Sequence, residues 1–99
     1  MNLTTEKNGE NLIVHVSGDL NTLTAPELSD LLSKELSGVK NLTLDFAECD
    51  YVSSAGLRVL LATYKQLKTE DGTMKLTNVG EFFQKVLKDT CLDAVFEVE

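Results

Sequence analysis

The spacing of apolar residues changes character several times along the chain. Two strand-like runs flank Asn8-Gly9, a pair that favours the positive φ angles of a type I′ turn, so "LTTEKNGENLIVHVSG" predicts a β-hairpin. In the second run Leu12, Val14 and Val16 share one face, while Ile13, His15 and Ser17 share the other. "LTAPELSDLLSKELSG" then takes helical spacing, with Leu28, Leu31, Leu32 and Leu36 as the buried stripe. Thr24 and Glu27 have the spacing of a capping box, Pro26 falls in the first turn, and Gly38 marks the end. "VKNLTLDFAEC" returns to alternation, with Leu42, Leu44 and Phe46 opposite Thr43 and Asp45. "GLRVLLATYKQLK" is a second helix with Leu57, Leu60, Leu61, Tyr64 and Leu67 on its apolar face. "TMKLTNV" is a fourth strand. "GEFFQKVLKDT" is a third helix with Phe83, Val86 and Leu87 inward, and "AVFEV" a closing strand. Phe82 and Phe83 adjoin, so both cannot lie on one helical line, and Phe82 is expected to be partly buried.

The order is ββαβαβαβ. Strands that alternate with helices through short connections imply an α/β fold with a mixed, mostly parallel central sheet behind the N-terminal hairpin. With 99 residues the chain is read as one domain, 1–99, long enough to bury roughly two-thirds of its unfolded surface. No repeat or linker interrupts it.

Composition narrows the function. The apolar fraction is 42%, the charged fraction 25% and the formal charge −7. An acidic surface repels phosphate backbones and anionic lipid, so neither nucleic acid nor a membrane is expected as a partner. No apolar run approaches the about 18 residues of a membrane span, and "MNLTTEKNGEN" lacks a signal-peptide pattern. Cys49 and Cys91 form no spaced pair and read as reduced thiols, which points to the cytoplasm. With one histidine and no Cys-x-x-Cys, no metal site is expected, and the absence of a P-loop signature excludes nucleotide binding of that kind. No cofactor is expected. Glu48, Asp50, Glu70 and Asp71 lie in turns and read as solvated surface.

The chemistry concentrates in "CDYVSSAGLRVLL", where Ser53 and Ser54 stand between a strand and a helix. Either hydroxyl suits a helix N-cap, and Gly56 lets the chain turn tightly. A catalytic serine is disfavoured: a nucleophile elbow needs Gly-x-Ser-x-Gly, and the window Val52-Ser53-Ser54-Ala55-Gly56 lacks the first glycine. The only histidine available as a base, His15, sits mid-strand. A phosphoacceptor is the third reading. A phosphate at a helix N-terminus is favoured by free N–H groups and the dipole, so the fold tolerates it while the surface seen by a partner changes.

Three segments together resemble the anti-sigma factor antagonist family, bacterial members of the STAS domain class. "VSGDLNTLTAPEL" resembles the family's Gly-x-Leu-Asp-x-x-Thr-Ala segment, and "NLTLDFAECDYVSSAGLRVLL" its strand followed by Asp-Ser-[Ser/Thr]-Gly-Leu and a helix. "TMKLTNVGEFFQKVLKDTCLDAVFEV" resembles its strand–helix–strand ending. The resemblance implies a single STAS-like domain without catalysis of its own. It also implies a partner that is both anti-sigma factor and serine kinase, with the histidine-kinase-like ATPase fold. The unphosphorylated antagonist binds that kinase and frees the sigma factor; phosphorylation releases it, and a PP2C-type phosphatase resets it. Matching Gly56 and Leu57 to the family's Gly-Leu puts the acceptor at Ser54, and Asn21, Thr22, Ser53, Gly56 and Arg58 are the expected partner-binding residues. Arg58 is a candidate for a two-pronged contact with a carboxylate. Three positions depart from the family: Ser53 and Asn21 stand where it has aspartate, and Cys91 where relatives commonly have glycine. A ligand-binding or scaffold STAS module whose serine is never modified is the alternative reading.

Overall fold

The computed structural model of the chain describes residues Met1–Glu99. The elements run β1 (Asn2–Asn8), β2 (Asn11–Ser17), α1 (Ala25–Glu35), β3 (Asn41–Glu48), α2 (Ser54–Thr69), β4 (Thr73–Thr77), α3 (Glu81–Asp89), a 3₁₀ turn (Leu92–Ala94) and β5 (Glu97–Val98). The five strands form one sheet in the order β1-β2-β3-β4-β5. β1 pairs antiparallel with β2, and every later pair is parallel. The expected mixed, mostly parallel sheet is therefore present.

Register sets the two faces of the sheet. Leu12, Leu42 and Met74 line up across β2, β3 and β4, as do Val14, Leu44 and Leu76. All six are buried, with Val16 and Phe46 beside them. They join Leu28, Leu32 and Leu36 of the α1 segment, Leu60 and Leu67 of α2, and Phe83 and Leu87 of α3 in one core. Phe46 and Phe83 meet with ring centroids 4.7 Å apart. The opposite face carries Ile13, His15, Thr43, Asp45 and Lys75, all only partly covered. Parallel strands with the helices on one side leave that second face to solvent, so it alternates into polar residues.

Several local expectations change. The hairpin forms, but Asn8 pairs with Asn11, leaving Gly9 and Glu10 as its loop. Only Gly9 of the two has a positive φ, at +62°, the pattern of a type II′ turn, because Asn8 stays in the extended ladder instead of entering the expected type I′ turn. Leu31, Val86, Leu57, Leu61 and Tyr64 are half-buried flanks of their stripes. The deepest line of α2 runs through Gly56, Leu60, Thr63 and Leu67. Phe82 is 49% exposed and lies outside the core, stacked on Tyr51 at 5.5 Å.

The ending is more broken than one strand over 94–98. Cys91 takes a left-handed conformation (φ +63°), the chain makes one 3₁₀ turn, and Phe96 drops into the core 5.7 Å from the Tyr64 ring. Only two residues then remain to pair with β4. Cys49 is buried, Cys91 is exposed, and both are free.

Candidate functional site

Two loops at the carboxyl ends of β2 and β3 build the site. Their main chains are zipped together: Gly18 N–H donates to Glu48 O at 3.0 Å, Leu20 N–H to Tyr51 O at 2.9 Å, and Ser53 N–H to Leu20 O at 2.8 Å. Leu20 and Val52 form an isolated parallel bridge, so the pairing of β2 and β3 resumes beyond the strands. This brings Asn21 and Thr22 beside the start of α2.

The two serines divide the work. Ser53 has extended backbone (φ −99°, ψ 174°), as an N-cap requires, and its Oγ accepts from Gly56 N–H at 3.4 Å. Ser54 is the first residue of α2 and is exposed. Either hydroxyl suits the cap by sequence; the structure gives it to Ser53 and not to the expected acceptor Ser54. Ser53 keeps the hydrogen-bonding role that an aspartate fills equally well at an N-cap.

Gly56 is buried, so it shapes the junction and presents no side chain to a partner. A Cβ there would stand 2.7 Å from Leu20 Cγ and 3.0 Å from Val52 Cγ2. This close approach lets α2 start directly against the two loops.

The other loop is organised by Asn21. Its Oδ1 accepts from Leu23 N–H at 2.9 Å and Thr24 N–H at 3.1 Å, and its carbonyl accepts from Ala25 N–H at 2.8 Å. Thr24 Oγ1 is turned back, accepting from Asn21 N–H at 2.8 Å and donating to Asp19 O at 2.6 Å. The predicted Thr24–Glu27 capping box therefore does not form. Thr24 already has helical backbone (φ −97°, ψ −21°), whereas a capping side chain needs extended backbone. Asn21 caps the lead-in turn in its place, which is why its side chain faces inward on the loop. Thr22 is exposed at the tip.

Arg58 is exposed one turn into α2 and forms no ion pair with any carboxylate. It lines an open groove between α1 and α2 together with Thr22, Ala55 and Asp30. Sequence reasoning missed the apolar side chains nearby. Leu23 is 84% exposed and Tyr51 42%, and Tyr51 carries Phe82 in its stack. The Phe-Phe doublet was the only signal for this rim.

Away from this end, no group of three or more His, Cys, Asp or Glu side chains is placed to hold a metal ion. No helix is long and apolar enough to cross a membrane. His15 on the open sheet face is bracketed by Glu6 and Asp45, remote in role from the serines, and no hydroxyl of Ser53 or Ser54 bonds to it.

The STAS domain family model matches residues 2–99. "Putative anti-sigma factor antagonist BtrV" of Bordetella bronchiseptica is 32% identical over 99 residues, covering 99% of this chain and 85% of that protein. An anti-sigma factor antagonist from Mycobacterium paratuberculosis superposes with a TM-score of 0.86 at 26% identity, covering 98% of this chain and 83% of that one. The anti-sigma factor antagonist SpoIIAA matches in fold, with a TM-score of 0.74 in its unphosphorylated form at 17% identity over 95% of this chain and 97% of that one. Its phosphorylated form gives 0.78 at the same identity, over 99% and 91%. The family model and the Bordetella relative together cover nearly the whole chain, and this chain belongs to the STAS domain family, among the anti-sigma factor antagonists.

Proposed function

We propose that the protein is a cytoplasmic phosphorylation switch without catalysis of its own. Unphosphorylated, it binds an anti-sigma factor that is also a serine kinase of the histidine-kinase-like ATPase fold, and the sigma factor is freed. The kinase moves the terminal phosphoryl group of ATP to Ser54 Oγ, leaving ADP, and the complex parts. A PP2C-type phosphatase returns the free hydroxyl. The docking face comprises Thr22, Ser53, Ser54 and Arg58, held in shape by Asn21 and Gly56 and bordered by Leu23, Tyr51 and Phe82.

The observation that carries this reading is the division between the serines. Because Ser53 caps α2, the Ser54 hydroxyl is exposed and can be modified without removing a cap. A phosphate there stands at the positive end of a 16-residue helix, where it is favoured electrostatically. The fold is similar to SpoIIAA in both its unphosphorylated and phosphorylated forms, which suits a switch that acts through surface charge and not refolding.

The test is capture from a lysate of the native organism in the presence of ADP, comparing wild type with Ser54→Asp by mass spectrometry. A kinase of this fold retained by wild type and lost by Ser54→Asp is the expected result. Equal retention by both baits, or no kinase on either, sinks the reading.

A further inference from the structure

Arg58 has an assignment that the docking face alone does not give it. It follows Ser54 by four residues on α2, so the two side chains stand one above the other on the same helix face. Long helical side chains lean toward the N-terminus of their helix, which carries the guanidinium back over the turn that begins at Ser54. Arg58 lines the same groove as Thr22 and Ala55, which places it alongside the helix start. No carboxylate holds it, although 16 acidic residues cover this chain and Asp30 lines the same groove. Of the nine Lys and Arg residues only Lys75 is ion-paired, and Arg58 is the free cation that stands one turn from the acceptor, open to a new anion.

We propose that Arg58 is the intramolecular partner of the phosphate on Ser54, so that modification withdraws the arginine from the docking face at the same moment that it adds negative charge there. This rests on Ser54 being the acceptor. Before modification the guanidinium is open to a carboxylate of the partner. Afterwards it is engaged by the phosphate, whose three oxygens match its planar fork. The partner then meets both a new repulsion and a missing attraction. Asp30, also on this groove, opposes the pairing only weakly, because solvent screens exposed charges that are not in contact.

The experiment uses the full chain with phosphoserine incorporated at position 54 during synthesis, so its outcome does not depend on any kinase. The second pKa of the phosphate is read by phosphorus NMR in this protein and in its Arg58→Gln and Arg58→Lys variants, with circular dichroism confirming the fold. Removing an opposite charge from an exposed pair raises that pKa by about half a unit at low salt. Arg58→Gln is expected to show that rise, Arg58→Lys a smaller one, and added salt to shrink the difference. The same pKa in all three proteins overturns the pairing. Such a result leaves the phosphoacceptor reading standing, since that reading is decided separately by the capture of a kinase.

Discussion

Cys91 concentrates the conflict between side chain and backbone. Three non-glycine residues have positive φ: Asp71, Asn78 and Cys91. Asp and Asn tolerate the left-handed region through local hydrogen bonds, whereas cysteine brings only a Cβ clash. Its N–H is bonded to Lys88 O at 3.1 Å, so the turn is fixed by the end of α3 and the residue must follow. Replacing Cys91 with glycine is expected to stabilise the protein by about 1 kcal/mol, less what the freer unfolded chain takes back. Urea denaturation measures it, and an unchanged or lower midpoint contradicts the strain. This position was legible in the sequence, because the resemblance placed glycine there and a helix end is where glycine is needed. The tightness around Gly56 was not legible. It arises from Leu20, thirty-six residues earlier, and nothing in the neighbourhood of "SAGL" announces that contact.

At the scale of elements, periodicity identified every helix and the four principal strands, since each buries one face and repeats at its own period. It failed where elements begin. Thr24 and Glu27 have capping-box spacing, but Asn21 Oδ1 already takes the Thr24 N–H that the Glu27 side chain would need, and the helical turn starts three residues sooner. Two good caps within four residues cannot be ranked from their spacing alone. The junction before α2 yields a sharper expectation. Gly56→Ala puts a Cβ 2.7 Å from Leu20 Cγ, and overpacking of this kind costs about 1–3 kcal/mol. A loss of that size in urea denaturation, with Gly56→Ala and the buried Leu20→Ala together costing less than the sum of the two alone, identifies the contact as its source. A neutral Gly56→Ala places the helix start further from the loops than the structure has it.

The whole molecule presents two unlike surfaces: the serine end, and a polar sheet face whose centre is His15. An imidazolium there donates from Nδ1 to Asp45 Oδ2 at 2.7 Å and from Nε2 to Glu6 Oε2. These bonds, to Glu6 first and Asp45 second, hold the His15 pKa above its ordinary 6.5. Asp45 is held below its ordinary 3.8, chiefly by Asn78 Nδ2 donating to Oδ1 at 2.8 Å, with Ala47 N–H and His15 adding to it. The raised histidine stabilises the fold fully below pH 6.5 and loses that contribution as pH rises through its folded value. The lowered carboxylate contributes above pH 3.8 and fails as pH falls through its own folded value. Stability therefore has a plateau between the two and declines on both sides. His15 is 39% exposed, so the effect is modest. Urea midpoints between about pH 5 and about pH 9 are expected to fall on the alkaline side for wild type and to stay flat for His15→Gln. A wild-type curve as flat as the variant's removes the charge on His15 from the account. At the other end, the three hydrogen bonds that clamp the two loops, two of which make the Leu20–Val52 bridge, bear on the tempo of the proposed switch. In the proposed switch, a segment already locked at both ends has no slow rearrangement to complete, so release of the partner after phosphorylation is expected to follow a single exponential with no lag.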